Sequence, residues 1–189
     1  MKKSFLCALA LSSICLLFGC SGSKNATNLD EVSIPDWYLN PPKDANYIYA
    51  PATAVSKDLQ ISVDKASTDA RAEIGRTIEL KLNNLQKRFD EEVGVADKSD
   101  LLQQFTQATK IVVSTELNGS QIIKKLVGKE GETFRAYVLT EYPIGAALEA
   151  FTKQISKQQE LYTRFRASET FKELDDEVKK YEEWKKTQH

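Results

Sequence analysis

Cysteine is the most chemically capable side chain in this sequence, and its three copies, Cys7, Cys15 and Cys20, all lie within the first twenty residues. A thiol can attack a carbonyl, hold a metal, close a disulfide or carry a lipid, and its surroundings decide which. The single histidine is His189 and the single methionine is Met1. Histidine-based acid/base catalysis and multi-histidine metal sites are therefore not expected. Carboxylates are plentiful, and Glu73, Glu79, Asp90, Glu91 and Glu92 could by inventory supply a glycosidase-like pair. They fall, however, on helix faces of solvated character or at a helix end, and no motif frames them. There is no glycine-rich phosphate loop and no G-x-S-x-G elbow, and Ser-Lys neighbours such as Ser56-Lys57 stand without context. No catalytic residue, cofactor or metal ligand is expected. With 26 basic against 27 acidic residues, a nucleic-acid partner is not expected either.

The surroundings of Cys20 give its thiol a role. Lys2 and Lys3 form a basic start, and the run from Phe5 to Phe18 is apolar apart from Ser12 and Ser13. That run is shorter than the roughly 20 residues of a spanning helix, and a polar stretch follows it. It ends Leu17-Phe18-Gly19-Cys20, which resembles a bacterial lipobox: an aliphatic residue, a variable one, a small one, then cysteine. The thiol accepts diacylglycerol as a thioether, and the small Gly19 lets a signal peptidase reach the Gly19–Cys20 bond. An ordinary secretory signal or an N-terminal membrane anchor is the competing reading. Cleavage would remove Cys7 and Cys15 with residues 1–19 and leave 24 basic against 27 acidic residues, a net charge of −3. Three acyl chains would anchor the protein firmly, at about 0.8 kcal/mol per buried methylene. No thiol would then remain for a disulfide, so the fold must rest on its core. By resemblance to lipoproteins of enteric bacteria, Ser21 is not the aspartate of inner-membrane retention, which implies the outer membrane.

The rest of the chain divides into elements. Residues 20–33 comprise the lipidated cysteine and a polar tether, which from Ser21 reaches at most roughly 45 Å. In Ile34-Pro35-Asp36-Trp37-Tyr38-Leu39-Asn40-Pro41-Pro42, three prolines argue against a helix. Trp37 and Tyr38 would either recognise a partner or glycan, or pack onto the domain as an extended arm. Tyr47–Val55 reads as a first strand, at an edge or bulged because Pro51 cannot donate. Leu59, Val63, Ala66, Ala70, Ile74, Ile78, Leu82, Leu85 and Phe89 recur every three or four residues, the stripe of one long core-facing helix. Ser56 or Asp58 would cap its start, and Gly94 follows its end. A second helix is expected over Asp97–Thr115. Strands Gln121–Val127 and Thr133–Tyr142 flank a five-residue hairpin loop, Gly128–Glu132. Pro143 opens a further helix with the stripe Ile144, Leu148, Phe151, Ile155, Tyr162 and Phe165. A last segment, Ser168–Lys186, carries Phe171, Leu174, Val178 and Tyr181, whose 3-4-3 spacing suits either a core face or a coiled-coil seam with a second copy. The expected fold is α+β: a small antiparallel sheet of about three strands packed by a long helix and a second helix, with an extended C-terminal helix. Residues 34–142 form the α+β domain and 143–189 the C-terminal amphipathic helix or helices.

A lipobox, then Pro35-Asp36-Trp37 with Asn40-Pro41-Pro42, Tyr47-Ile48-Tyr49-Ala50, Ser56-Lys57-Asp58-Leu59-Gln60 and Ala70-Arg71-Ala72-Glu73-Ile74 resembles the LPP-twenty family of bacterial outer-membrane lipoproteins. The resemblance spans about Ile34–Tyr142, and Ala50-Pro51-Ala52 departs from the glycine-containing strand end usual there. It implies an α+β lipoprotein domain, related to those of flagellar outer-membrane disks and envelope assemblies, with no catalytic residues. The expected function is a membrane-anchored envelope lipoprotein with a non-enzymatic structural or partner-binding role. Its partner would be an envelope protein or a second copy, met through Trp37, Tyr38, Phe171, Leu174, Val178 and Tyr181. The alternatives are a periplasmic carrier of a lipid or other hydrophobic ligand, with a pocket under the long helix, and a carboxylate-based hydrolase.

Overall fold

A computed structural model describes residues 33–94, 99–116 and 119–187. Gly19, Cys20, nearly all of the tether and His189 lie outside them. The elements run α1 (Asp36–Leu39), β1 (Tyr47–Ser56), α2 (Leu59–Val93), α3 (Ser99–Glu116), β2 (Gln121–Glu130), β3 (Thr133–Pro143), α4 (Ile144–Ile155), α5 (Gln159–Arg166) and α6 (Glu169–Thr187). The strands make one antiparallel sheet in the order β1-β3-β2. The fold is α+β, with three strands and helices packed on them, as the periodicities indicate.

The long stripe folds as expected. Asp58 caps α2 by accepting from the Ile61 amide at 2.9 Å, and Gly94 ends it at φ 62°, a left-handed conformation that glycine adopts without a Cβ penalty. Val63, Ala66, Ala70, Ile74, Ile78, Leu82, Leu85 and Phe89 are all buried, while Leu59, at the first turn, is exposed. The first half of α2 crosses the inner face of β1 and β3, where Ala66 and Ala70 allow a close approach. The second half carries the helical layer. Phe89, Phe105, Phe151, Phe165 and Phe171, from five different helices, form a ring cluster with centroid spacings from 4.9 to 6.4 Å. Fully burying each such ring is worth about 1.5–3 kcal/mol. This one core runs from Ile48 to Val178, so the C-terminal helices share it with the sheet.

Three local expectations need correction. The prolines around Trp37 do not exclude a helix: Pro35 stands at the N-cap of the single turn α1, where a missing amide donor costs nothing. The hairpin loop has two residues, not five, because the ladder continues to Glu130↔Thr133 and Gly131 turns the chain at φ 59°. Pro51 sits in an edge strand, the first of the two placements expected of it, and the register irregularity lies in β2, between Ile122 and Lys124. The helix after Pro143 breaks at Ser156–Gln158, giving α4 and α5. Ser156 Oγ donates to the Lys153 carbonyl at 2.8 Å, a local bond that competes with helix continuation. The break resets the helical phase, so Leu161 is fully buried and Tyr162 only half-buried.

Candidate functional surface

The sheet has two faces, and the outer one gathers aromatic rings. Tyr47, Tyr49, Pro51, Thr53 and Val55 of β1 alternate onto it, as do Tyr137 and Leu139 of β3. The turn of α1 lays Tyr38 edge-on against Tyr137, with centroids 5.1 Å apart, and Asn40 Nδ2 donates to Asp36 Oδ1 at 2.9 Å to close that turn. At the other end of β1, Tyr47 meets Tyr49 at 6.0 Å and the edge of Trp184 at 5.8 Å. Trp184 stacks on Tyr181 at 5.6 Å, and the Lys185 ammonium lies 4.8 Å from the Tyr181 ring centre. Lys185 is held there by Glu149, at 2.6 Å, which also pairs with Lys153. Trp37, Tyr38, Tyr47, Tyr49, Tyr181 and Trp184 are each half-buried, with one side packed and another open.

Electrostatics at this surface are set by a few contacts. Burial, followed by the Glu141 carboxylate, pushes the Tyr47 and Tyr49 phenols above their ordinary range and keeps them as hydrogen-bond donors. Hydrogen bonds from Lys153 and then Lys185 hold the Glu149 carboxyl below its usual range. The Glu149 bond in turn raises Lys185.

The residues expected to meet a partner separate into two groups. Tyr38 and Tyr181 belong to the aromatic surface, and Trp37 is half-buried beside Tyr38 in α1. Phe171, Leu174 and Val178 are buried in the molecule's own core, so their seam is closed to a second copy in this fold. Their spacing is right for a helix face, and what covers that face is α4, α2 and α5. Tyr47, Tyr49 and Trp184 were not singled out from the sequence. The alternation of Tyr47 and Tyr49 was visible, but Trp184 reaches them only through the docking of α6.

Three of the five carboxylates, Glu73, Glu91 and Glu92, are engaged in structure. Glu73 pairs with Arg76, and Glu91 lies 3.9 Å from Lys87. Glu92 reaches across to the start of α6, accepting from the Glu169 amide at 2.8 Å, the Thr170 amide at 3.0 Å and the Thr170 hydroxyl. Among the described residues, no group of three or more His, Cys, Asp or Glu side chains could hold a metal ion. Two shallow grooves open to solvent, one of about 460 Å³ between Ala54 and the Ile61–Asp69 flank of α2, the other of about 370 Å³ along α3 at Leu102–Lys110. Among the described residues, no helix is long and apolar enough to cross a membrane.

No protein-family profile matches the chain, and no curated protein matches its sequence. The resemblance to the LPP-twenty family rests on the motif residues that carry it.

Proposed function

We propose that this chain is an envelope lipoprotein, anchored in the outer membrane through lipid on Cys20, with a non-enzymatic partner-binding role. The observation that carries the partner-binding half is the aromatic surface. Half-buried rings from α1, β1 and α6 gather along the outer sheet face, Tyr38 against Tyr137 at one end and Tyr47, Tyr49, Trp184 and Tyr181 at the other, while the carboxylates Glu73, Glu91 and Glu92 are engaged in pairing and capping. Tyrosine and tryptophan offer large, rigid contact area at low entropic cost, which is why they dominate binding surfaces. The anchoring half is supported by Leu17-Phe18-Gly19-Cys20, and the family resemblance favours the same reading.

Each half has its own test. Cells labelled with a fatty-acid analogue should label the wild-type chain and not the Cys20→Ser variant; a variant that still labels removes the anchor. Cross-linking with mass spectrometry in the native envelope should recover a protein joined near Trp37, Tyr47 or Trp184. Sedimentation showing only monomer, together with an empty cross-link list, would remove the partner.

A further inference from the structure

Among the described strands, the least covered is β2. Its residues Gln121–Leu126 are all exposed, and it bonds to β3 on one side only. Among the described residues no strand pairs with its other edge, which presents outward N–H and C=O groups along ten residues, longer than a usual strand. The helix α2 lies over β1 and β3 and barely reaches β2, so both faces stay open over Gln121–Leu126, before Val127 packs on the core and Gly128 is buried. Ile122, Ile123 and Leu126 are 39%, 40% and 37% exposed. Lys124 and Lys125 project from opposite faces, standing across from Leu139 and Val138, with Lys129 further along. None of the three lysines has an ion-pair partner among the described residues, and the strand's own acid, Glu130, is held by Arg135 at 2.9 Å.

We infer that β2 is a docking edge for an acidic, extended segment of another protein, which adds beside it as a fourth strand. Main-chain hydrogen bonds along the regular stretch Lys124–Glu130 supply the affinity. Acidic side chains on either face of the incoming strand meet Lys124 or Lys125, and apolar ones cover Ile122 and Leu126. The same features reject other occupants. A second copy pairing through its own β2 would bring three more lysines to the edge, and its one acid there, Glu130, is already held by Arg135. The β1 edge of a second copy carries no acidic residue in Tyr47–Ser56, and Pro51 removes one of its donors. A lipid surface would attract the lysines but leave the edge's backbone groups unpaired. This inference rests on the partner-binding reading above and gives the chemistry of the partner.

The test uses the full chain and three probes: a labelled ten-residue peptide alternating valine with glutamate, its counterpart alternating valine with lysine, and phosphatidylglycerol-containing vesicles. The acidic peptide should bind and slow amide hydrogen exchange within Lys124–Glu130. Its Kd should rise at least tenfold in the Lys124→Glu/Lys125→Glu variant and less in Lys124→Gln/Lys125→Gln, which keeps a neutral edge of similar size. Equal binding of both peptides, binding that ignores the charge reversal, or protection placed on β1 overturns the inference. So does vesicle binding without peptide binding. Envelope cross-links that always avoid β2 would also overturn it, while leaving a partner at the aromatic surface in place.

Discussion

At Gly145 a single missing methyl group lets two helices meet. A Cβ built there would stand 2.3 Å from both Cβ and Cγ of Tyr181 and 2.8 Å from its Cδ2. Two effects compete in Gly145→Ala. Alanine gains up to about 1 kcal/mol of helix propensity over glycine. The clash outweighs it, because the Tyr181 Cβ is fixed to the backbone of α6 and cannot rotate away. Overpacking of this kind costs about 1–3 kcal/mol. Gly145→Ala should therefore lower the thermal midpoint by several degrees and loosen the Tyr181–Trp184 stack, seen as a change in near-UV circular dichroism. A variant as stable as the parent, with that signal unchanged, would show that α4 and α6 are not in tight contact.

Among the elements, α6 is the one fastened most by electrostatics. Ser168 Oγ accepts from the Phe171 amide at 3.1 Å as a conventional N-cap, and Glu92 supplies a second cap from α2. Lys81–Glu177 and Arg88–Glu173 tie the same two helices along their length, though exposed pairs contribute little each. The Thr170 hydroxyl bond, joined by the Glu169 and Thr170 amides, holds the Glu92 carboxyl below its ordinary value of 4.5. A carboxyl lowered in the folded state stabilises fully above its unfolded pKa and loses that contribution as pH falls through the folded one. Removing the cap in Glu92→Ala should cost about 1 kcal/mol at pH 7. The gap between parent and variant should close as the pH drops below about 4.5, measured by urea denaturation at each pH. A gap independent of pH would mean that Glu92 acts through packing and not through charge.

The sequence made some of these elements plain and hid others, for physical reasons. The stripe of α2 is legible because nine apolar residues keep one helical phase and Asp58 and Gly94 mark both ends. The break at Ser156–Gln158 is not, since no glycine or proline stands there and the apolar spacing runs on to Tyr162. The seam of α6 is legible as apolar, yet whether its own core or a second copy covers it depends on contacts far along the chain. The exposure of β2 is hidden for the opposite reason: Gln121–Val127 has the isoleucines and valine of a buried strand, and only the reach of α2 decides otherwise. The aromatic surface joins Tyr47 to Trp184 from opposite ends of the domain, a pairing that no local pattern carries.

Over the whole molecule, the continuity of the core makes a claim about cooperativity. Trp37 and Trp184 lie in the first and last helices, on α1 and α6; Trp184 packs on Tyr47 of β1, and neither ring belongs to the phenylalanine cluster. Were 143–189 an appended unit, α6 would melt separately. Phe151, Phe165, Phe171 and Leu174 instead share one buried cluster with Ile74, Phe89 and Val138, so opening the C-terminal helices would strip cover from the long helix that holds the sheet. Exposing several such side chains costs about 1.5–3 kcal/mol each, comparable in sum to the 5–15 kcal/mol stability of a whole domain. Partial opening is thus nearly as costly as complete unfolding, the condition for two-state behaviour. The single-tryptophan variants Trp37→Phe and Trp184→Phe leave one fluorescent reporter at each end. In each variant the urea midpoint by fluorescence should coincide with that variant's own far-UV circular dichroism midpoint. An earlier fluorescence transition in the Trp37→Phe variant, ahead of its own circular dichroism, would identify α6 as a separable unit and break the single-core account.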